Sequence, residues 1–119
     1  VLCLFACPAA VSGSAPELKS VRILYLVPKD RAPRHEYVRA IEKSILDLQA
    51  WYYGHLNGRT FHVNSPIAEV RKTHHKADWY RRHVPRERSE KRFYVFFNAV
   101  SDAAAFGVRR NDRKYVWLI

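Results

Sequence analysis

VRILYLV (Val21–Val27) decides the fold. Arg22 is its one charged residue. A strand with one wet face alternates apolar and polar side chains, whereas a strand covered on both faces reads as a near-continuous apolar run. The stretch therefore predicts a central strand in a sheet flanked by helices. Pro28 ends it, and KDRAP (29–33) reads as a turn.

Working outward, Pro33 suits the first turn of a helix. Apolar residues then recur at Val38, Ile41, Ile45, Leu48, Tyr52 and Leu56, with Trp51 widening the stripe. These spacings of three and four predict an amphipathic helix, which Asn57-Gly58 stops. TFHVN (60–64) reads as a short strand. IAEVRK (67–72) reads as a further strand, or as its continuation after a bend at Ser65-Pro66. ADWYRRH (77–83) predicts one or two helical turns. Phe93, Phe96, Phe97, Val100 and Ala104 fit a helix better than a strand, and Gly107 ends it. Asn111-Asp112 marks a turn, and YVWLI (115–119) a strand.

The order is β-α-β-(β)-α-β. That alternation predicts an α/β sheet with helices packed on it. With 119 residues, one domain is the expectation. It is assigned to residues 16–119. A strand that runs to the last residue is read as a domain continuing beyond it.

Residues 1–15 are read as part of a secretory signal peptide. VLCLFACPAAVSGSAP carries no charge, and its apolar stretch precedes small residues. A basic leader is missing, so the sequence is read as starting inside the signal. Cleavage after Gly13 fits. LFAC (4–7) offers a lesser alternative, a lipid anchor on Cys7, and a buried N-terminal strand or helix is the plain one. The run is too short to span a bilayer. Cys3 and Cys7 both lie in it, so its removal leaves neither a disulfide nor a cysteine-ligated metal. Export to the periplasm or medium is the expected localisation.

The formal charge is +10, from 21 Lys and Arg against 11 Asp and Glu. Such an excess attracts anionic partners. Between Arg71 and Arg92, nine basic residues face only Asp78, Glu87 and Glu90, with Trp79 and Tyr80 among them. Arg71, Lys72, Lys76, Arg81, Arg82, Arg86 and Arg88 are the candidate anion-binding residues. The plain alternative is a solvated basic surface. No RNA or DNA motif is present, so no specific nucleic-acid partner is expected.

Catalytic motifs are missing. HEYVR (35–39) spells four letters of the zinc-binding HExxH, but Arg39 stands where the second histidine belongs. Arginine stays protonated and ligates no metal. Glu36 is better explained by the helix dipole at a helix start. His74 and His75 are adjacent and point apart, and His83 adds no ligand set. GxSxG, P-loop and GxGxxG patterns do not occur. No carboxylates sit at a spacing that implies acid–base work. Asp47 and Asp102 read as helix-surface residues. Catalytic and metal-binding residues are accordingly expected to be none.

Over Tyr25–Ile119 the chain nevertheless resembles the N-terminal half of secreted bacterial metallopeptidases of the zincin type. The resemblance rests on YLVPKDRAPRHEYVRAIEKSILDLQAWYYGHLNGRTFHV (25–63), then HHKADWY (74–80), FYVFFNAVSDAA (93–104) and NDRKYVWLI (111–119). It lies in texture and order rather than in a diagnostic motif. It implies an incomplete zincin-like domain and peptide-bond hydrolysis by a complete protein acting on peptide or protein substrates. The zinc-binding HExxH helix would follow this region, so Zn²⁺ is expected there and no cofactor in this chain. No family catalytic residue maps onto a position here. The alternative is an exported, non-catalytic module that binds an anionic polymer or surface through a basic face.

Overall fold

The computed structural model describes residues 19–119, and the signal-peptide and lipid-anchor readings fall outside that range. Three strands, β1 (Ser20–Val27), β2 (His62–Lys72) and β3 (Tyr115–Leu118), form one sheet in the order β2-β1-β3. Both pairings are parallel. The expected central strand is therefore β1, and Ile23, Leu24 and Val27 are buried within it.

Helix α1 (His35–His55) joins β1 to β2, while α2 (Ala77–Arg82) and α3 (Tyr94–Ala103) lie between β2 and β3. Short 3₁₀ turns flank α3 at Lys91–Phe93 and Ala104–Phe106. Alternate residues of β1 serve opposite faces. Tyr25 meets Tyr37 of α1 edge-on, with centroids 6.3 Å apart. Leu26 lines a small cavity with Tyr80 of α2 and with Val95 and Ala99 of α3. The helices thus pack on both sides of the sheet, as the apolar run predicts.

HEYVR is a helix start: His35 opens α1, Arg34 is its N-cap, and Pro33 lies just outside rather than in the first turn. At the other end Asn57 and Gly58 take left-handed φ of 51° and 75°. Gly58 donates its amide to the Tyr53 carbonyl, which is how a left-handed residue satisfies the last turn of a helix. The stripe on α1 is only half used. Ile45 is buried and Val38 and Ile41 are half-buried, but Leu48, Trp51 and Leu56 are exposed. Leu48, Tyr52 and Leu56 instead border a cavity of about 460 Å³ with Val21 of β1 and Val116 and Leu118 of β3.

TFHVN and IAEVRK form one strand rather than two, the continuation being the alternative that holds. The Ser65-Pro66 bond is cis. There β1 advances from Val21 to Ile23 while β2 advances from Val63 to Ala68. Pro66 donates no ladder hydrogen bond, and β2 is an edge strand where this is tolerated. Gly107, with φ of 90°, ends the second 3₁₀ turn as expected.

One ion pair binds the three strands. The Arg22 guanidinium donates from Nε and Nη2 to the two oxygens of Glu69, both at 2.6 Å. It also lies over the Tyr115 and Trp117 rings, 4.8 and 4.3 Å from their centroids. Glu69 is buried. The hydrogen bonds from Arg22 hold its carboxyl below the usual carboxylate range against the opposing effect of burial.

Candidate functional site

In a parallel α/β sheet, ligands gather at the carboxyl ends of the strands. The side chains assembled there are Thr73, His75, Tyr80 and Asp102. Thr73 and His75 follow directly on β2, and the Thr73 amide donates to the Val27 carbonyl at the end of β1. His75 Nδ1 lies 2.9 and 3.0 Å from the two oxygens of Asp102 on α3. Its ring stacks on Trp79, with centroids 3.6 Å apart. Trp79 in turn stacks on His83 at 4.5 Å.

Tyr80 is 7 % exposed, and its hydroxyl reaches both Asp102 Oδ2 and Thr73 Oγ1, the latter at 2.6 Å. A phenol has one proton to give, and the carboxylate is the stronger acceptor. Tyr80 therefore donates to Asp102, and Thr73 donates to the phenolic oxygen. Burial first, and then the Asp102 carboxylate, push the Tyr80 hydroxyl up to about 12. Asp102 is thus no surface residue, contrary to the sequence expectation. Its side chain is 14 % exposed and joins three elements. Asp47 does behave as expected, exposed and paired with Lys43 four residues earlier.

Asn98 completes the assembly. It is 1 % exposed, and its Nδ2 donates to the Tyr80 carbonyl at 3.0 Å and the His83 carbonyl at 2.8 Å. These are groups a helix leaves unpaired at its C-terminal end. At the other end of α2, Asp30 accepts the Ala77 amide at 2.8 Å.

With the proton on Nδ1, Asp102 orients the His75 ring and leaves Nε2 as an acceptor for a proton or a ligand. Among the described residues, no serine hydroxyl bonds to this network. The described residues contain no group of three or more His, Cys, Asp or Glu side chains that could hold a metal ion.

Replacing Tyr80 with Phe tests the network. We expect Tyr80→Phe to cost about 1–2 kcal/mol, the usual range for a buried hydrogen-bonded hydroxyl. The raised hydroxyl favours the folded state fully below pH ~10, and that contribution fades as pH climbs from there toward 12. Urea unfolding of the wild type should show this alkaline loss and the variant should lack it. Identical pH profiles would remove Tyr80 from the network.

A second feature lies beside β1. Strand β3 pairs with Ser20–Ile23 only, so Leu24–Val27 pair on the β2 side alone among the described residues. A cavity of about 650 Å³ lies beside these residues, between Ile41 of α1 and Val95, Phe96 and Ala99 of α3.

The predicted basic residues do not share one set of contacts. Arg71, Lys72, Lys76, Arg81, Arg82, Arg86 and Arg88 are all exposed. Arg71 stands 4.0 Å from Glu69, and Arg82 pairs with Asp78 at 2.9 Å. Arg81 borders the small cavity at Tyr80. Arg86 lines a different cavity, with Arg109 and Arg110. The last two were not among the candidates.

The geometry defines the class: a three-stranded parallel α/β sheet with helices packed on it. Compared with protein-family models, curated proteins and solved structures, the chain matches none. No helix of the described residues is long and apolar enough to cross a membrane.

Proposed function

We propose that residues 16–119 are the sheet-bearing, non-metal-binding portion of an exported zinc-dependent peptidase. The resemblance over Tyr25–Ile119 motivates the reading. What supports it is the three-stranded parallel sheet β2-β1-β3 with helices packed on it. In this reading an edge strand aligns an extended substrate by main-chain pairing, and the sheet gives the catalytic part a rigid wall to stand on. The described residues hold no group of three or more His, Cys, Asp or Glu that could bind a metal ion, and this reading takes the metal ligands and the hydrolytic base from elsewhere. In this reading both come from an HExxH helix encoded after residue 119, where bound Zn²⁺ would activate water.

The test is to read the coding sequence past residue 119 and to assay zinc in the purified complete protein. An in-frame HExxH with bound zinc, and peptide hydrolysis that chelation abolishes, is the expected result. An immediate stop codon, or a continuation without histidine ligands, overturns the proposal.

A further inference from the structure

The amino-terminal ends of β1 and β3 carry a feature that the peptidase reading does not use. Residues 107–114 (GVRRNDRK) connect the second 3₁₀ turn to β3. Gly107 turns the chain through its positive φ, and the Val108 amide donates to the Ala103 carbonyl. Asp112 then fixes the loop. Its Oδ1 accepts the amides of Lys114 at 2.8 Å and Tyr115 at 3.1 Å, and its Oδ2 accepts Trp117 Nε1 at 2.9 Å.

This folding brings Arg109 and Arg110 beside Arg86 of the α2–α3 connection. Together with Lys19 they line a cavity of about 650 Å³. An adjoining cavity of about 470 Å³ shares Arg109 with the first and adds Arg113 and Lys114. Two acidic residues border these hollows and offset their basic residues only in part. Asp112 is committed to three N–H donors. Glu87 meets Arg110 at 3.4 Å, but the arginine side chain is 74 % exposed, and a solvent-exposed pair of this kind exchanges partners at little cost. Arg86 and Arg109 make no ion pair within 4.0 Å among the described residues.

Concave cationic surfaces focus the field that draws anions. Arginine forks bind phosphate and sulfate oxygens in bidentate fashion. Two adjoining cavities with a common arginine suit a ligand with more than one such group. We propose that the Gly107–Lys114 loop and Arg86 form a binding site for a polyanion carrying phosphate or sulfate groups. Of the seven basic residues picked from the sequence, only Arg86 belongs to it.

The test is calorimetric titration of the full chain with polyphosphate and, separately, with dextran sulfate, over a range of salt concentrations. Two variants of equal charge change are compared. Arg109→Glu/Arg110→Glu lies in the site, and Arg81→Glu/Arg82→Glu lies on α2, outside both cavities. The site variant should bind about tenfold or more weakly, with a shallower salt dependence, since each lost phosphate contact releases fewer counterions. The α2 variant should stay close to wild type. If charge reversal unfolds the loop, as circular dichroism would reveal, Arg109→Ala/Arg110→Ala takes its place. Binding of only one polymer, lost in the site variant, identifies the oxyanion. Equal weakening in both variants means that the net charge of +10 acts diffusely and overturns the site, as does failure to bind either polymer.

Discussion

Leu24→Ala should destabilise the domain by about 3 kcal/mol, within the range for truncating a buried leucine. Leu24 is 2 % exposed in the central strand, with β2 paired alongside. Removing its isobutyl group loses apolar burial and leaves a hole that a strand hydrogen-bonded to its neighbour cannot collapse around. The large apolar side chains buried with it are few: Ile23, Val27, Ile45 and Tyr80. A domain of this size is stable by roughly 5–15 kcal/mol at most, so one such change consumes a substantial share. Leu46, on the outer side of α1 and 51 % exposed, is the control. Leu46→Ala should stay within about 0.5 kcal/mol of wild type. Urea midpoints measure both, and similar shifts for the two variants would mean that β1 is not the centre of the core.

Glu69→Ala should cost about 3 kcal/mol as well, for an electrostatic reason. Breaking a buried ion pair by removing one partner leaves the other desolvated and uncompensated. Here the remaining group is Arg22, whose side chain is 22 % exposed and covered by the Tyr115 and Trp117 rings. Replacing both partners, as Arg22→Met/Glu69→Leu, should recover most of the loss, because no orphaned charge remains. If the double variant is less stable than Glu69→Ala, the guanidinium contributes more through ring stacking than through its carboxylate.

Acid supplies an independent measure of the same pair. The Glu69 carboxyl titrates lower in the folded chain than in the unfolded one. Its contribution is therefore complete above the ordinary carboxylate value near pH ~4.3 and is lost as pH falls below it. The stability difference between wild type and Glu69→Ala should shrink over that interval. A difference that stays constant down to strong acid would show that the pair acts by packing alone.

The sequence is most legible where one segment determines its own structure. VRILYLV needs only its composition to be read as a central strand, and the α1 stripe needs only its spacing. The left-handed residues Asn57, Gly58 and Gly107 mark their helix ends locally. Legibility fails where the meaning of a residue depends on a distant partner. Asp102 reads as a surface acid until the chain brings it to His75, 27 residues earlier. Asn98 carries no signal at all, since what it caps is the end of another helix. The arginines at 109 and 110 stand outside the densest basic stretch, and the cavity they share with Arg86 exists only once α3 has packed. Even the stripe on α1 is a partial guide. It records which face is apolar, but not how closely the sheet packs against it.

Arg22 has a further consequence for how the sheet comes apart. Strand β3 pairs with Ser20–Ile23 of β1. One guanidinium on β1 is held by a carboxylate from β2 and covered by two rings from β3. Peeling β3 away uncovers that charge and loosens the grip of β2 on it. Amide protons of the shortest strand are thereby tied to the opening of the other two, and the sheet exchanges with solvent as one cooperative unit rather than from its edge inward.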